Sequence, residues 1–288
     1  MPTRRQLLAG LTAVSALGVG TVGYTLFIEP HWVEITHRSM PVRNLPPALD
    51  GKTLVQISDI HVGHRVSDSY VLATFDQVRA LRPDFVAITG DFISHHAGIV
   101  DQAARVFKNL PRGRIGTVGI PGNHDYGGRE RDVALAAVLQ NIFEEAGLLY
   151  LRNQSVEIEG LRFIGLDDYW GPFFTPEGIM STVKAGSPTI VLSHNPDTAD
   201  LPVWGAFDGW ILSGHTHGGQ CKPPFLPPPL LPVRNKAYVA GAFDLSGGRN
   251  MYINRGLGHL IQARFNVRPE ITLFTLKPAA AGPDHRIG

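Results

Sequence analysis

Thr53-Leu54-Val55-Gln56-Ile57-Ser58-Asp59-Ile60-His61 is the stretch from which the fold can be read. Its first six residues have the character of a buried strand and run without a turn into an acid and an imidazole two positions apart. On an extended backbone residues i and i+2 point to the same side, so Asp59 and His61 project together. The arrangement recurs along the chain. The apolar run 85–89 ends in Gly90-Asp91, and 115–120 ends in Pro121-Gly122-Asn123-His124-Asp125. Run 189–192 ends in Ser193-His194-Asn195-Pro196, and 209–212 ends in Ser213-Gly214-His215-Thr216-His217-Gly218-Gly219.

The first three of these strands alternate with stretches of helical periodicity. Val71, Phe75 and Val78 share a face in 68–81, 99–110 is amphipathic, and Leu135, Leu139, Ile142 and Ala146 share a face in 131–146. Alternating strands and helices imply right-handed crossovers and a mainly parallel sheet. In such sheets ligands bind at the carboxyl ends of the strands. Strands are expected before this region at 32–36, an edge element, and after it at 155–158, 162–166, 238–242, 250–253 and 271–276. No repeat and no long polar linker divides the chain, so one α/β domain with two packed sheets is expected over 51–277. Residues 31–50 form its edge strand and connector, and 278–288 a tail.

Five strand ends thus deliver Asp59, His61, Asp91, Asn123, His194, His215 and His217 to one rim. A lone Asp, His or Asn at a strand end is usually a turn residue or a cap; seven together point to metal. Imidazole with carboxylate and amide oxygens and no thiolate suits Mn, Fe or Zn better than Ca or Mg. Seven ligands exceed one tetrahedral ion but suit two divalent metal ions if a carboxylate bridges. Two metals about 4 Å apart clamp an in-line displacement at phosphorus, and a hydroxide between them is the natural nucleophile. Lowering a water's pKa from 15.7 to about 7 is worth roughly 12 kcal/mol, more than a side-chain base supplies.

Composition narrows the field. Of 288 residues 43% are hydrophobic, enough for a sizeable core and against disorder. With 26 basic and 25 acidic residues the net charge is +1, and no stripe of basic and aromatic residues is visible, so no nucleic-acid partner is expected. The single cysteine, Cys221, excludes an internal disulfide framework and a cysteine zinc ribbon, and it reads as inert.

Residues 1–30 read as an address, either an export signal or a membrane anchor. Arg4 and Arg5 precede 7–28, which carry no charge and reach the length needed to span about 30 Å of hydrocarbon. Thr3-Arg4-Arg5-Gln6-Leu7-Leu8 resembles a twin-arginine signal. Gly18-Val19-Gly20-Thr21-Val22-Gly23 satisfies a dinucleotide-binding pattern, but it lacks the strand, the helix and the acidic residue that give the pattern meaning.

The ordered motifs D-x-H, G-D, G-N-H-D, a later His and G-H-x-H resemble those of the calcineurin-like metallophosphoesterases over some 220 residues. The resemblance implies an α/β sandwich of two packed mixed β-sheets flanked by helices. It implies one metal held by Asp59, His61, Asp91 and His217, and another by Asp91, Asn123, His194 and His215, with Asp91 bridging. His124 matches the family's catalytic non-ligand histidine, which assists the leaving oxygen or steadies phosphoryl charge. Residues 90–96 read Gly-Asp-Phe-Ile-Ser-His-His and Pro121 precedes the third motif, where the family's protein phosphatases carry an Asp–Arg pair and an Arg. A protein phosphatase is therefore disfavoured, and the residue that orients His124 stays unassigned. The G-H-T-H-G-G-Q run with the twin-arginine-like start is instead similar to the exported bacterial branch, with its phosphodiesterases and UDP-2,3-diacylglucosamine hydrolases.

The expected activity is hydrolysis of a phosphodiester or pyrophosphate, in a lipid-linked substrate, at the outer face of the cytoplasmic membrane, in the periplasm or in the cell wall. A small-molecule or nucleotide phosphodiesterase is the nearest alternative, and a non-catalytic scaffold of the same fold the more distant one. Membrane contact is expected through the N-terminal segment or the Pro-rich loop 222–232, whose Phe225, Leu226, Leu230 and Leu231 either meet lipid or pack over the second sheet. Arg255 and Arg264 are read either as a phosphate grip or as surface ion pairs, and His64, His95 and His96, just beyond the ligand loops, either as solvent-facing loop residues or as substrate contacts.

Overall fold

The computed structural model describes residues 3–96, 98–129 and 131–279. In chain order the strands are β1 (Glu34–Val42), β2 (Thr53–Ile57), β3 (Phe85–Ile88), β4 (Gly116–Gly119), β5 (Leu149–Tyr150), β6 (Gln154–Ile158), β7 (Leu161–Gly165), β8 (Thr189–Leu192), β9 (Trp210–Ser213), β10 (Gly241–Asp244), β11 (Asn250–Ile253) and β12 (Glu270–Pro278). The helices are α1 (Arg4–Gly23), α2 (Asp68–Ala80), α3 (Ile99–Phe107), α4 (Val133–Glu145) and α5 (Pro176–Met180).

Two six-stranded mixed sheets result, ordered β1-β12-β2-β3-β4-β5 and β10-β11-β9-β8-β7-β6. Each has a parallel centre, β2 to β5 in the first and β7, β8, β9 and β11 in the second. The expected parallel character holds for these centres. The antiparallel contacts are β12 on β2 in the first sheet, and the outer strands β10 and β6 in the second. β12 is the inserted element: it lies parallel to β1 and antiparallel to β2, so residues 34–42 are tied to the end of the chain by a nine-residue register.

Side-chain alternation sorts the strands into layers. Leu54, Phe85, Ala87, Ile190, Leu192 and Leu212 turn inward to the layer between the sheets, with Phe163 and Phe274. Val55, Ile57, Val86 and Ile88 turn outward beneath α2, α3 and α4, where Phe75, Phe107 and Phe143 pack. Val191, Ile211 and Met251 turn outward on the second sheet under Met180, Trp204 and Phe207. Gln56 is a polar side chain buried between the sheets. Its Nε2 donates to Thr89 Oγ1 (3.1 Å) and to the Ser213 carbonyl (2.9 Å), joining the two sheets just below the strand ends.

Side chains cap two of the helices that cover the first sheet: Ser67 accepts from Tyr70 N before α2, and Asp132 from Leu135 N before α4. At the start of the chain Thr3 and Gln6 form a reciprocal capping box for α1, which leads into a wider turn over Tyr24–Ile28 and a tight one over Glu29–His31. Among the described residues no helix is long and apolar enough to cross a membrane. The expected tail falls almost wholly outside the description, since β12 continues to Pro278.

Candidate metal centre

All seven predicted ligand positions lie at the carboxyl ends of β2, β3, β4, β8 and β9, and all seven are buried. Asp59, His61 and His217 bring one ligand atom each to within 4.8 Å of one another, and so do Asp91, His194 and His215. Each group draws on both sheets. Asp91 Oδ2 lies 3.2 Å from His194 Nε2 and 3.6 Å from His61 Nε2, so one carboxylate oxygen faces both groups. Asn123 lines the same cavity as Asp91.

The backbone is bent to make this possible. Asp59, His61, Asp91, His215 and His217 all have φ between 49° and 69°, the left-handed region, which costs a non-glycine residue roughly 1–2 kcal/mol. Two glycines admit the approach. A Cβ on Gly122 would sit 2.2 Å from Asp91 Oδ1, and one on Gly214 would sit 1.9 Å from Ser58 Oγ and 2.4 Å from Asp59 Oδ2. The main chain then orients the acids: His124 N–H donates to Asp91 Oδ1 (2.8 Å), and His215 N–H to both oxygens of Asp59 (3.0 Å each).

Hydrogen bonding shows what the imidazoles offer. His194 Nδ1 lies 2.7 Å from the Thr89 carbonyl, which only accepts, so Nδ1 carries the proton and Nε2 presents a lone pair to Asp91. His215 Nε2 lies 2.9 Å from the Pro232 carbonyl, so its Nδ1 presents a lone pair 3.2 Å from His194 Nε2. Two imidazole lone pairs and a carboxylate thus converge, which is unfavourable unless a cation or a proton sits among them. In the other group His61 Nε2 and His217 Nε2 face each other at 3.1 Å, and His217 Nε2 is 3.2 Å from Asp59 Oδ1. The donor sets fit divalent ions, and the outer carbonyls are of the kind that fix a ligand histidine's tautomer.

Electrostatics agree with the geometry. Burial, reinforced by the neighbouring His194, holds His215 down at about 3. Burial likewise holds His61 at about 3 against the pull of Asp91. Both are neutral at pH 7, as ligands must be. Burial works to raise Asp91, but the charges of His194 and His124 hold it well below the usual carboxylate range. Burial works to lower His194, yet Asp91 raises it well above an ordinary imidazole. The contact between them thus favours charge on both partners.

Sequence reasoning missed the supports. Asp125, the last letter of G-N-H-D, accepts from the N–H groups of Gly122, Phe92 and Ile93 and so ties the loops after β3 and β4 together. Buried Asp168 accepts from Trp170 N and Gly171 N, and burial above all raises its carboxyl to about 7. Trp170 stands edge-on to His215, with ring centroids 4.5 Å apart. An acidic pair before an aromatic turn was the only signal for this element. Of the two readings for the arginines, Arg255 takes the ion pair, with Glu270 (2.9 Å) and Glu34 (2.7 Å). Arg264 needs correction on both counts: it is wholly buried with its guanidinium donating to the carbonyls of Arg255, Gly256, Gly258 and Val267, so it is neither a surface ion pair nor a phosphate grip.

The centre opens on a cavity of about 380 Å³. Asp91, Asn123, His124, His215 and His217 line it together with the apolar Leu230, Leu260, Ile261 and Ala263. The His124 ring stands edge-on to His61, with centroids 5.1 Å apart. Cys221 also lines the wall; its thiol meets the Ala263 carbonyl at 3.7 Å, and burial raises it. Of the loop histidines, His64 and His96 stack on each other at 3.7 Å. In the Pro-rich loop Phe225 is fully exposed and Leu226 and Leu230 largely so, while Leu231 is half-buried and the Pro232 carbonyl rests on His215.

Two adjacent cation groups sharing a carboxylate, at the strand ends of an α/β sandwich, define a dimetal hydrolase centre of the kind used on phosphate esters. The calcineurin-like phosphoesterase pattern matches residues 52–219. The chain is 32% identical over 302 residues to the uncharacterized metallophosphoesterase YkuE of Bacillus subtilis, covering 96% of this chain and 98% of that protein. It is 30% identical to the phosphodiesterase YaeI of Escherichia coli, covering 96% and 100%. It is 27% identical to the UDP-2,3-diacylglucosamine pyrophosphatase LpxG of Chlamydia trachomatis, covering 92% and 95%. The chain belongs to the calcineurin-like phosphoesterase family and is a metal-dependent phosphoesterase with two cation sites.

Proposed function

We propose that this enzyme hydrolyses a phosphodiester or pyrophosphate linkage in a lipid-linked substrate, after export, at the outer face of the membrane. The observation that carries the reading is a single cavity lined both by residues of the cation groups with His124 and by the apolar Leu230, Leu260 and Ile261. A phosphate joined to an acyl-bearing group matches both kinds of lining; a small polar diester uses only the first. The relative named as a UDP-2,3-diacylglucosamine pyrophosphatase points the same way.

In this reading Asp59, His61, Asp91 and His217 hold one divalent ion, and Asp91, Asn123, His194 and His215 the other. Bound there, the ions supply Lewis-acid polarisation of the phosphoryl oxygens and a water acidified towards pH 7. His124 sits at the cavity wall with its backbone fixed on Asp91. Its ring donates a proton to the leaving oxygen or a hydrogen bond to a phosphoryl oxygen. With Arg255 and Arg264 committed elsewhere, phosphate charge is met by the cation groups and His124. Trp170 closes the wall beside His215, and Leu260 and Ile261 take the apolar part of the substrate and shed water from it.

Export is supported by the Arg4-Arg5 pair ahead of an uncharged stretch. Replacing both arginines by lysine is expected to leave active enzyme in the cytoplasm; undiminished export would remove this part. For the substrate, the Mn-loaded protein is offered UDP-diacyl sugars, phospholipids, cyclic nucleotides and bis-p-nitrophenyl phosphate. Turnover of the simple diester with a much higher kcat/KM for an acylated substrate is the expected result. Highest kcat/KM for a cyclic nucleotide or simple diester would favour a small-molecule phosphodiesterase, and no turnover of any would indicate a scaffold.

A further inference from the structure

The start of the chain is built into the mouth of the cavity. Glu29 and Pro30 are buried, and the Glu29 carboxylate accepts from Val267 N at 2.5 Å. The carbonyls of Thr25 and Leu26 accept from Arg264 N and Gln262 Nε2, each at 3.0 Å. The His31 ring stands edge-on to Tyr70, with centroids 5.2 Å apart. Residues 260–263, which this segment grips, carry the apolar wall of the cavity. Through Arg264 the same contacts reach Gly258, whose N–H donates to the Asp59 carbonyl (2.7 Å).

Around that mouth apolar side chains stand in solvent. Phe225 is fully exposed on a left-handed backbone (φ 65°), and Leu226, Leu230 and Ile261 are 60%, 78% and 63% exposed. Phe225 and Pro224 line one depression with Tyr24 and Glu29, so the tip of the Pro-rich loop lies beside the foot of the N-terminal helix. That helix exposes Leu8, Leu17, Val19 and Val22, and the turn after it exposes Phe27 and Ile28. No charge occurs from Gln6 to Ile28. Leu17 faces away from Leu8, Val19 and Val22 at 100° per residue, which suits acyl chains on several sides better than one protein groove. At the foot, half-exposed Trp32 carries the Arg268 guanidinium over its ring at 4.2 Å, a pairing suited to a headgroup layer.

We propose that the cavity mouth is a bilayer-seating face. Phe225, Leu226, Leu230 and Ile261 enter the acyl layer, the Thr25–His31 joint holds the apolar helix at the same rim, and substrate passes into the cavity from the lipid side. The last clause rests on the lipid-linked reading above; the seating itself does not.

The test uses the full chain with vesicles of phosphatidylethanolamine and phosphatidylglycerol carrying brominated acyl chains. In Phe225→Trp the added fluorescence is expected to be quenched, whereas that of Val138→Trp, on α4 and outside the cavity lining, is not. Vesicle-bound protein with no quenching at position 225, or equal quenching at both positions, overturns the seating and leaves the exposed rim to a protein partner. The double substitution Phe225→Ser with Leu226→Ser is expected to lower turnover of an acylated substrate in vesicles by about tenfold or more and to spare bis-p-nitrophenyl phosphate. Quenching at 225 with equal effects on both substrates upholds the seating and overturns the lipid-linked substrate instead.

Discussion

In the Asp91–His194–His215 group each imidazole has one nitrogen on a backbone carbonyl, that of Thr89 or Pro232. In the Asp59–His61–His217 group, His61 Nδ1 meets only the Ser94 hydroxyl (3.2 Å), which can donate or accept. There His217 Nδ1 is buried with no hydrogen-bond partner among the described residues. The main chain therefore presets the lone pairs of one group, while among the described residues no main-chain group fixes those of the other. An outer partner of a ligand histidine is worth roughly 10–100-fold in metal affinity. Two unequal sites are the expected outcome, with the tighter one at Asp91, His194 and His215.

The strongest way to break this picture is Asp91→Asn. If one oxygen serves both groups, elemental analysis should find both ions depleted and turnover lost by several orders of magnitude; one ion retained at full occupancy would show that the groups are independent. His124→Ala should keep both ions yet lower kcat by about 10²–10⁴-fold, and a loss of metal instead would make His124 a structural part of the centre. Chelation should lower the thermal midpoint by roughly 5–7 °C, from about 3–4 kcal/mol of linkage at ligand concentrations well above Kd. On re-addition of Mn the midpoint should recover in two phases, and a single phase would contradict unequal sites. The finest test is Ser94→Ala. It should weaken the looser ion about tenfold and leave the tighter one unchanged in a competition titration; an equal effect on both would erase the distinction.

The candidate site was legible because each ligand follows an apolar strand directly, so the residue list and its order lie on the surface of the sequence. The parallel centres of the sheets were legible for the same reason. What escaped depends on contacts between distant residues. β1 runs to Val42, beyond the stretch expected at 32–36, because Arg38–Val42 find partners only in β12. A strand was expected at 238–242, but Tyr238 is apolar for packing and not for pairing: it is buried against Phe243 with its hydroxyl on Asp200, and the strand begins at Gly241. β5 is two residues long and α5 five, too short for any periodicity to show. The carbonyls that set the imidazole tautomers belong to Thr89 and Pro232, and no side chain advertises them. Arg264 read as a surface cation because sequence cannot show that four carbonyls would surround it.

Because each cation group takes residues from both sheets, a complete set of ligands exists only where the two layers meet. Capture of an ion at full affinity is therefore a property of the assembled sandwich, and a bound ion in turn fastens one layer to the other.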